Sequence, residues 1–315
     1  RTAKLMLLQP IRPKGPEEIV TMPTPDMETL TSLAKRKGFV YPSSDIYGGF
    51  GSTWDYGPLG TELIRNVKDS WWRKTVLVRN DVVGLNASIL MHPRVWEVSG
   101  HVDNFQDPLV ECPTCRRRYR QDDVSNMRCP HDEDLLTDPR MFNTMFKTYV
   151  GPVEDDAAVA YLRPETAQST YVNFKNVLDS SRVRIPFGIA QIGKSFRNEI
   201  TTGNFIFRSR EFEQMELQYF VAPGEDDEAH ERWVETRFGW WTDLGVDAQR
   251  LRLRSHNEEE LAHYAKATTD IEYAFPFGWG ELEGIANRTD FDLRRHAEAS
   301  GTELAYFDES TKNHI

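Results

Sequence analysis

The residues of this chain with chemistry to offer are three cysteines and three charged segments. The cysteines run Cys112-Pro-Thr-Cys115, then thirteen residues, then Cys129-Pro-His131-Asp132. Each cysteine turn lets two side chains converge on one ion, and the hairpin between them brings the turns together. That spacing predicts a small zinc knuckle with a structural role. A ribbon of this kind ordinarily closes on a second Cys-x-x-Cys pair. Here Asp132 takes the fourth cysteine's place and His131 stands beside it. Either completes a tetrahedron: imidazole is the commoner partner of three thiolates, whereas Asp132 keeps the spacing. The plain alternative is three free thiols in a knuckle that has lost its metal.

The charged segments put ionisable groups where a simple core does not want them. In Tyr161-Leu-Arg163-Pro164-Glu165-Thr166-Ala-Gln168, Pro164 suits the first position of a helix, which sets Glu165 at the positive end. Glu165 is then either a dipole-complementing acid or an acid presented to a cationic ligand. In Phe196-Arg197-Asn198-Glu199, Arg197 can bind a phosphate or carboxylate through its planar fork. Glu199, two residues on, shares its strand face; the plain reading is a cross-strand ion pair of little worth. In the third segment, 205–216, strand alternation puts Phe212, Gln214 and Glu216 on one face and Glu211, Glu213 and Met215 on the other. Charge on both faces is costly for a plain sheet, which points to a site.

The elements that must hold these groups read as follows. Met27, Leu30, Leu33 and Ala34 space a helix over 27–37 that Gly38 ends. Leu59, Leu63, Ile64, Val67, Trp71 and Val76 mark a long amphipathic helix running into an extended segment over 76–83. Two strands are expected at 189–196 and 211–221, joined by a loop too long for a tight hairpin; long loops between strands are often functional. A helix is expected over 224–244. Glu225, Asp226, Asp227 and Glu228 open it, and Trp233, Val234, Phe238, Trp241 and Leu244 form its apolar face. Strands and helices without βαβ alternation predict an α+β fold on an antiparallel sheet. Residues 107–135 hold all the cysteines and the run Arg116-Arg117-Arg118-Tyr119-Arg120, and read as an insertion.

Composition bounds the rest. The 315 residues, 36.4 kDa and 39% hydrophobic content allow two domains, or one large domain with insertions, and exclude wholesale disorder. Net charge is 38 − 49 = −11, which argues against a protein that coats nucleic acid non-specifically. No apolar run approaches the roughly 20 residues of a membrane helix. Three clustered cysteines exclude a disulfide framework and suit a reducing, cytoplasmic setting. Residues 1–25, with Pro10, Pro13, Pro16, Pro23 and Pro25, read as a disordered leader or tag, with a natural start at Met22 or Met27.

Taken together, the charged segments and several further stretches resemble glycyl-tRNA synthetase of the dimeric, bacterial-like class II type. The stretches are Ile46-Tyr47-Gly48-Gly49, Trp54-Asp55-Tyr56-Gly57-Pro58-Leu59-Gly60, Ser88-Ile89-Leu90-Met91-His92-Pro93, Ser99-Gly100-His101, 162–168, 187–200, 204–216 and Glu281-Leu-Glu283-Gly284-Ile-Ala-Asn287-Arg288. Each alone is weak to moderate; in this order they are specific.

The resemblance implies an antiparallel sheet flanked by helices. It implies activation of glycine with Mg²⁺ and ATP, transfer to tRNA(Gly), and a homodimer through motif 1 at 59–93. The catalytic core would comprise 26–106 and 136–315, with the zinc-ribbon-like insertion between. Arg197 would contact both the glycine carboxylate and the ATP α-phosphate, offsetting charge in the transition state. Glu199 would lie near the adenine, Phe207 would stack on it, and Arg208 and Arg210 would reach phosphate. Glu281 would reach ATP or its magnesium. Asn198, Ser209, Glu211, Phe212 and Leu282 complete the ATP set. Glu165 and Glu216 would hold the glycine ammonium, with Arg120, Phe212, Glu213, Gln214 and Met215 as further glycine positions. Rigid packing would exclude larger amino acids.

Three departures from the family pattern stand out. Ser169-Thr170 replaces Gly-Ile, Thr202 stands where proline is common, and the sequence ends before motif 3 and the anticodon-binding domain. The expectation is therefore a partial catalytic domain. The alternatives are a synthetase-like binding or regulatory protein without catalysis, and a zinc-ribbon nucleic-acid module, which accounts only for the insertion.

Overall fold

A computed structural model describes residues 25–315 apart from Thr202. The leader expected over 1–25, all but its last residue, and the loop position Thr202 lie outside the described residues.

The central sheet joins β1 (Val82–Gly84), β2 (Phe187–Phe196) and β3 (Glu211–Phe220). β2 and β3 pair antiparallel without interruption, from Phe187 opposite Phe220 to Phe196 opposite Glu211. Apolar runs at one end of this pair make its core: Phe187 and Ile189 are buried against Phe174 and Val177. The expected antiparallel sheet is corrected at one edge, where β1 runs parallel to β2 with Val82 opposite Gly188. A second sheet is antiparallel throughout: β4 (Leu251–Ser255), β5 (Ala267–Phe275) and β6 (Gly278–Asn287).

The helices that frame the sheets include α1 (Met27–Arg36), α2 (Pro58–Trp72), α3 (Ala167–Val172), α4 (Asp226–Asp243) and α5 (Phe291–Ser300). Asp26 caps α1 by accepting a hydrogen bond from the Thr29 amide at 2.7 Å. Pro58 opens α2 at a position where its missing N–H costs nothing. Gly60 lets α2 approach the preceding chain, since a Cβ there would stand 1.9 Å from the Phe39 carbonyl oxygen. Trp71 of α2, Val82, Ala190 and Trp240 form a core cluster, with Met215 packed against it.

Three local expectations need correction. The segment 76–83 is not extended from its start: Arg73–Leu77 continues α2 as a π turn, and the strand begins only at Val82. The turn keeps Val76 against the core cluster while Leu77 and Val78 face solvent. Pro164 does not open a helix, because α3 begins at Ala167 with Thr166 at its cap. Arg197 Nε donates to the Pro164 carbonyl at 3.0 Å and Arg163 Nε to that of Lys194 at 2.7 Å, which ties this stretch to the end of the sheet instead. The buried face of α4 is centred on Ala229, Arg237 and Trp240, and Leu244 is exposed. Arg237 can lie inside because Glu283 pairs with it at 2.6 Å and the Trp240 ring lies 4.5 Å from it.

In the cysteine-bearing region, Gln106–Glu111 pairs with Arg118–Arg120 on one side and Arg140–Asn143 on the other. Val110, Cys112, Cys129 and Leu136 are the buried centre of a small core of its own, with Tyr119, Val124 and Met127 around them.

Candidate active site and cysteine cluster

α3 lies against β3, and the meeting residues are polar. Gln214 Oε1 accepts from the Thr166 amide at 3.0 Å and from Ser195 Oγ at 2.8 Å. Glu216 accepts from the Thr166 hydroxyl and, at 2.8 Å, from Gln218 Nε2. Gln218 in turn accepts from the buried Tyr171 hydroxyl at 2.5 Å. The unusual Ser169 and Thr170 are buried here, and Gln191 of β2 donates to the Ser169 hydroxyl at 2.7 Å. The extra hydroxyl is thereby satisfied rather than stranded.

Opposite Glu216 stands Glu165, which is buried. Its Oε1 lies 3.2 Å from His101 Nε2 and accepts from Gln168 Nε2 at 3.2 Å. Gln168 is fixed by Asp292 at 2.8 Å and His296 at 2.9 Å. Arg288 forks onto Asp292 at 2.8 and 3.1 Å, and its guanidinium lies 3.7 Å from the Tyr264 ring centre. Burial pushes the Glu216 carboxyl up to about 7, and the neighbouring Glu165 charge adds to the shift. Burial also works on Glu165, but His101 and Arg288 outweigh it and hold that carboxyl well below its ordinary range. The two enclosed acids are thus shifted in opposite directions, with the Arg288 guanidinium acting on both.

Arg197 lies at the end of β2, its guanidinium between the rings of Phe105 and Phe212, 5.4 Å from each. Its Nε is spent on Pro164. The two terminal nitrogens make no hydrogen bond among the described residues and remain available to an anion. Beyond it, Phe207 meets Phe275 at 5.1 Å and Phe277 at 5.0 Å, edge to face. A Cβ at Gly280 would stand 2.9 Å from the Phe207 ring, so glycine there is what lets the ring lie down. Glu281 is exposed as a residue, yet partial desolvation of its carboxyl pushes it up, Asp270 adds to the shift, and Arg197 pulls the other way.

Several expected site residues take other places. Glu213 binds Lys68 at 3.0 Å, Met215 packs on the Trp71 cluster, and Glu211 pairs with Lys194. All three lie on the α2 side of β3, away from Gln214 and Glu216, because side chains alternate along a strand. Arg120 reaches Asp107 and Asp122, each at 3.3 Å, and its amide meets the Thr201 hydroxyl at 3.4 Å; it touches none of Glu165, Gln214 or Glu216. Arg210 is held by the carbonyls of Gly51 and, at 3.1 Å, Glu199, so it braces the loop. The Asn198 backbone amide donates to the Thr144 carbonyl at 2.7 Å. Arg208 is exposed and Ser209 half-buried in the same loop. A β-bulge near Leu282 turns Glu283 toward Arg237 and away from Glu281. Sequence reasoning gave no role to His101, Phe105, Gln168, Tyr264 or Arg288. The Ser99-Gly100-His101 and Asn287-Arg288 stretches stood out, but only the fold brings them to Glu165.

The sulfur atoms of Cys112, Cys115 and Cys129 and a carboxylate oxygen of Asp132 all lie within 4.8 Å of one another. Asp132 approaches Cys112 Sγ at 3.3 and 3.4 Å. Of the two alternatives for the fourth position, Asp132 is therefore the one brought to the cluster. His131 is exposed, and only its backbone amide meets Cys129, at 3.4 Å. Desolvation pushes the Cys115 thiol up to about 12, with Cys112, Cys129 and Asp132 adding to the shift. Four ligand atoms within 4.8 Å of one another could hold a divalent cation, and three thiols with one carboxylate suit zinc.

No helix among the described residues is long and apolar enough to cross a membrane. Residues 150–307 match the family described as tRNA synthetase class II core domain (G, H, P, S and T). Among curated relatives, the chain is 56% identical over 306 residues to a glycine–tRNA ligase of Thermobifida fusca, covering 90% of this chain and 66% of that protein. It is 54% identical over 292 residues to one of Treponema denticola, with 91% and 65% covered. It is 52% identical over 309 residues to one of Nocardia farcinica, with 91% and 66% covered. The chain thus spans about two thirds of the length of these relatives.

Proposed function

The chain belongs to the class II tRNA synthetases of the G, H, P, S and T core family, and from that premise we propose that it is the glycine-activating part of a glycine–tRNA ligase. The observation that carries the reading is the enclosed trio of Glu165, Glu216 and Arg288, next to an Arg197 whose terminal nitrogens are unspent.

The chemistry follows from charge. A carboxylate oxygen attacks the α-phosphorus of ATP, a P–O bond forms, and pyrophosphate leaves with the electrons of the bond it breaks. Both reactants are anions, so a cation between them lowers the barrier. Arg197, stacked between Phe105 and Phe212, meets that need with little reorganisation. Glu165 and Glu216 grip the ammonium, Gln214 lines the same face, and Arg288 balances the carboxylate. Phe207, with Phe275 and Phe277, offers an aromatic surface for the base, and Glu199 would lie near the adenine. Arg208 and Ser209 lie on the loop that would cover the phosphates. Glu281 would hold the magnesium that screens the phosphates when ATP is bound. Glycine has no side chain to read, so selection rests on the walls: a methyl group would have to displace hydrogen-bonded, buried residues.

Cys112, Cys115, Cys129 and Asp132 would hold a structural zinc that ties the hairpin of the cysteine-bearing region. The exposed Leu59 and Leu63 on α2, with Leu77 and Val78 beyond it, form an apolar surface suited to a homodimer. Transfer of glycine to tRNA(Gly) in the cytoplasm completes the reading. The test is ATP–pyrophosphate exchange by the full-length chain. Exchange that needs glycine and is not supported by alanine is expected; exchange indifferent to glycine would contradict the assignment.

A further inference from the structure

We propose that His101 is a positioning residue for amino-acid recognition: a buried Ser99–His101–Glu165 chain ties down one oxygen of Glu165 and aims the other at the substrate. This rests on the reading above, in which Glu165 receives the substrate ammonium.

The geometry is specific. Both side-chain contacts that reach Glu165 fall on Oε1: His101 Nε2 approaches it at 3.2 Å, and Gln168 Nε2 donates to it at 3.2 Å. Oε2 has no partner among the described residues. A carboxylate only accepts, so the hydrogen between it and His101 sits on Nε2. The other ring nitrogen, Nδ1, meets Ser99 Oγ at 2.7 Å, and that hydroxyl also lies 3.4 Å from the Trp96 carbonyl. Ser99 can therefore donate to a neutral ring, or accept from a charged one and donate onward to Trp96. In either state Nε2 keeps its hydrogen toward Glu165.

The ring cannot swing away. His101 is 4% exposed, with Trp96 edge-on at 5.4 Å and Phe105 at 4.9 Å. Gly100, at φ 82°, caps the short helix His101–Asn104, in a conformation that favours glycine. Phe105, which follows that helix, has its ring between His101 and Arg197. One short segment thus supports the acid that takes the amine and the cation that takes the phosphate.

The test uses the full-length chain and compares His101→Gln with His101→Asn, taking Glu165→Gln as reference. A glutamine amide can reach the place of Nε2, whereas an asparagine amide reaches only that of Nδ1. His101→Asn is expected to raise the KM for glycine about tenfold or more while the KM for ATP moves less than about twofold, and His101→Gln is expected to restore most of the loss. Adding His101→Asn to Glu165→Gln should cost little more than Glu165→Gln alone. Equal behaviour of the Asn and Gln variants, parallel losses for glycine and ATP, or full additivity would each overturn the proposal. If Glu165→Gln weakens glycine and His101→Asn does not, only the role of His101 fails. If Glu165→Gln leaves glycine untouched, the ammonium reading itself fails.

Discussion

Arg237 Nε donates to Glu283 Oε1 at 2.6 Å inside the packing of α4 on β6, whereas Glu281, two residues earlier on β6, is exposed. Trp241 Nε1 adds a second donor to Glu283 at 2.9 Å. The two acids, two residues apart, therefore do different work. Replacing Arg237 by leucine strands a largely buried carboxylate and is expected to cost about 3–5 kcal/mol of stability, read as a lower melting midpoint. Glu281→Gln is expected to leave the midpoint nearly unchanged and to weaken ATP. Equal melting losses in both variants would contradict the division.

With Glu216 as an ammonium ligand, as proposed, the proton it carries is expected to make glycine binding pH-dependent. Its carboxyl ionises around 7 in the folded chain against an ordinary 4.5. An ionised Glu216 grips an ammonium best, so the KM for glycine should rise as pH falls below about 7. For stability the sign is opposite. A raised folded-state value favours the fold fully below about 4.5, and that contribution is lost as pH rises through 7. Glu216→Gln should flatten both dependences, measured as KM against pH and as melting midpoint against pH.

In the cysteine cluster, the choice between neighbours at the fourth position can be read by metal analysis. Asp132→Ala should lower bound zinc and loosen the hairpin between Cys115 and Cys129, whereas His131→Ala should leave zinc content unchanged. Chelation should mimic Asp132→Ala in protease sensitivity of that hairpin. Equal zinc loss in both variants would mean that His131 shares the ion.

Much of this was legible in the sequence, for identifiable reasons. Alternation along β3 sorted Phe212, Gln214 and Glu216 from Glu211, Glu213 and Met215, and the faces are so divided. The family resemblance nevertheless put Glu213 and Met215 among glycine positions, since a contiguous motif does not record which way each side chain points. The cysteine spacing marked the cluster but left His131 against Asp132 open, because only the path of the turn after Cys129 brings the carboxylate back to Cys112. The start of α3 was misread from Pro164, whose carbonyl is taken by Arg197 from 33 residues away. His101 approaches Glu165 from 64 residues away along the chain, Arg288 acts on it through its charge from 123 residues away, and no local pattern announces either.

The central claim is that Arg197 joins two anions at one point, and glycine-dependent ATP–pyrophosphate exchange in Arg197→Ala tests it most directly. In the full-length chain, with the melting midpoint verified, exchange should fall by about a hundredfold or more. Exchange close to that of the unaltered chain would contradict the account.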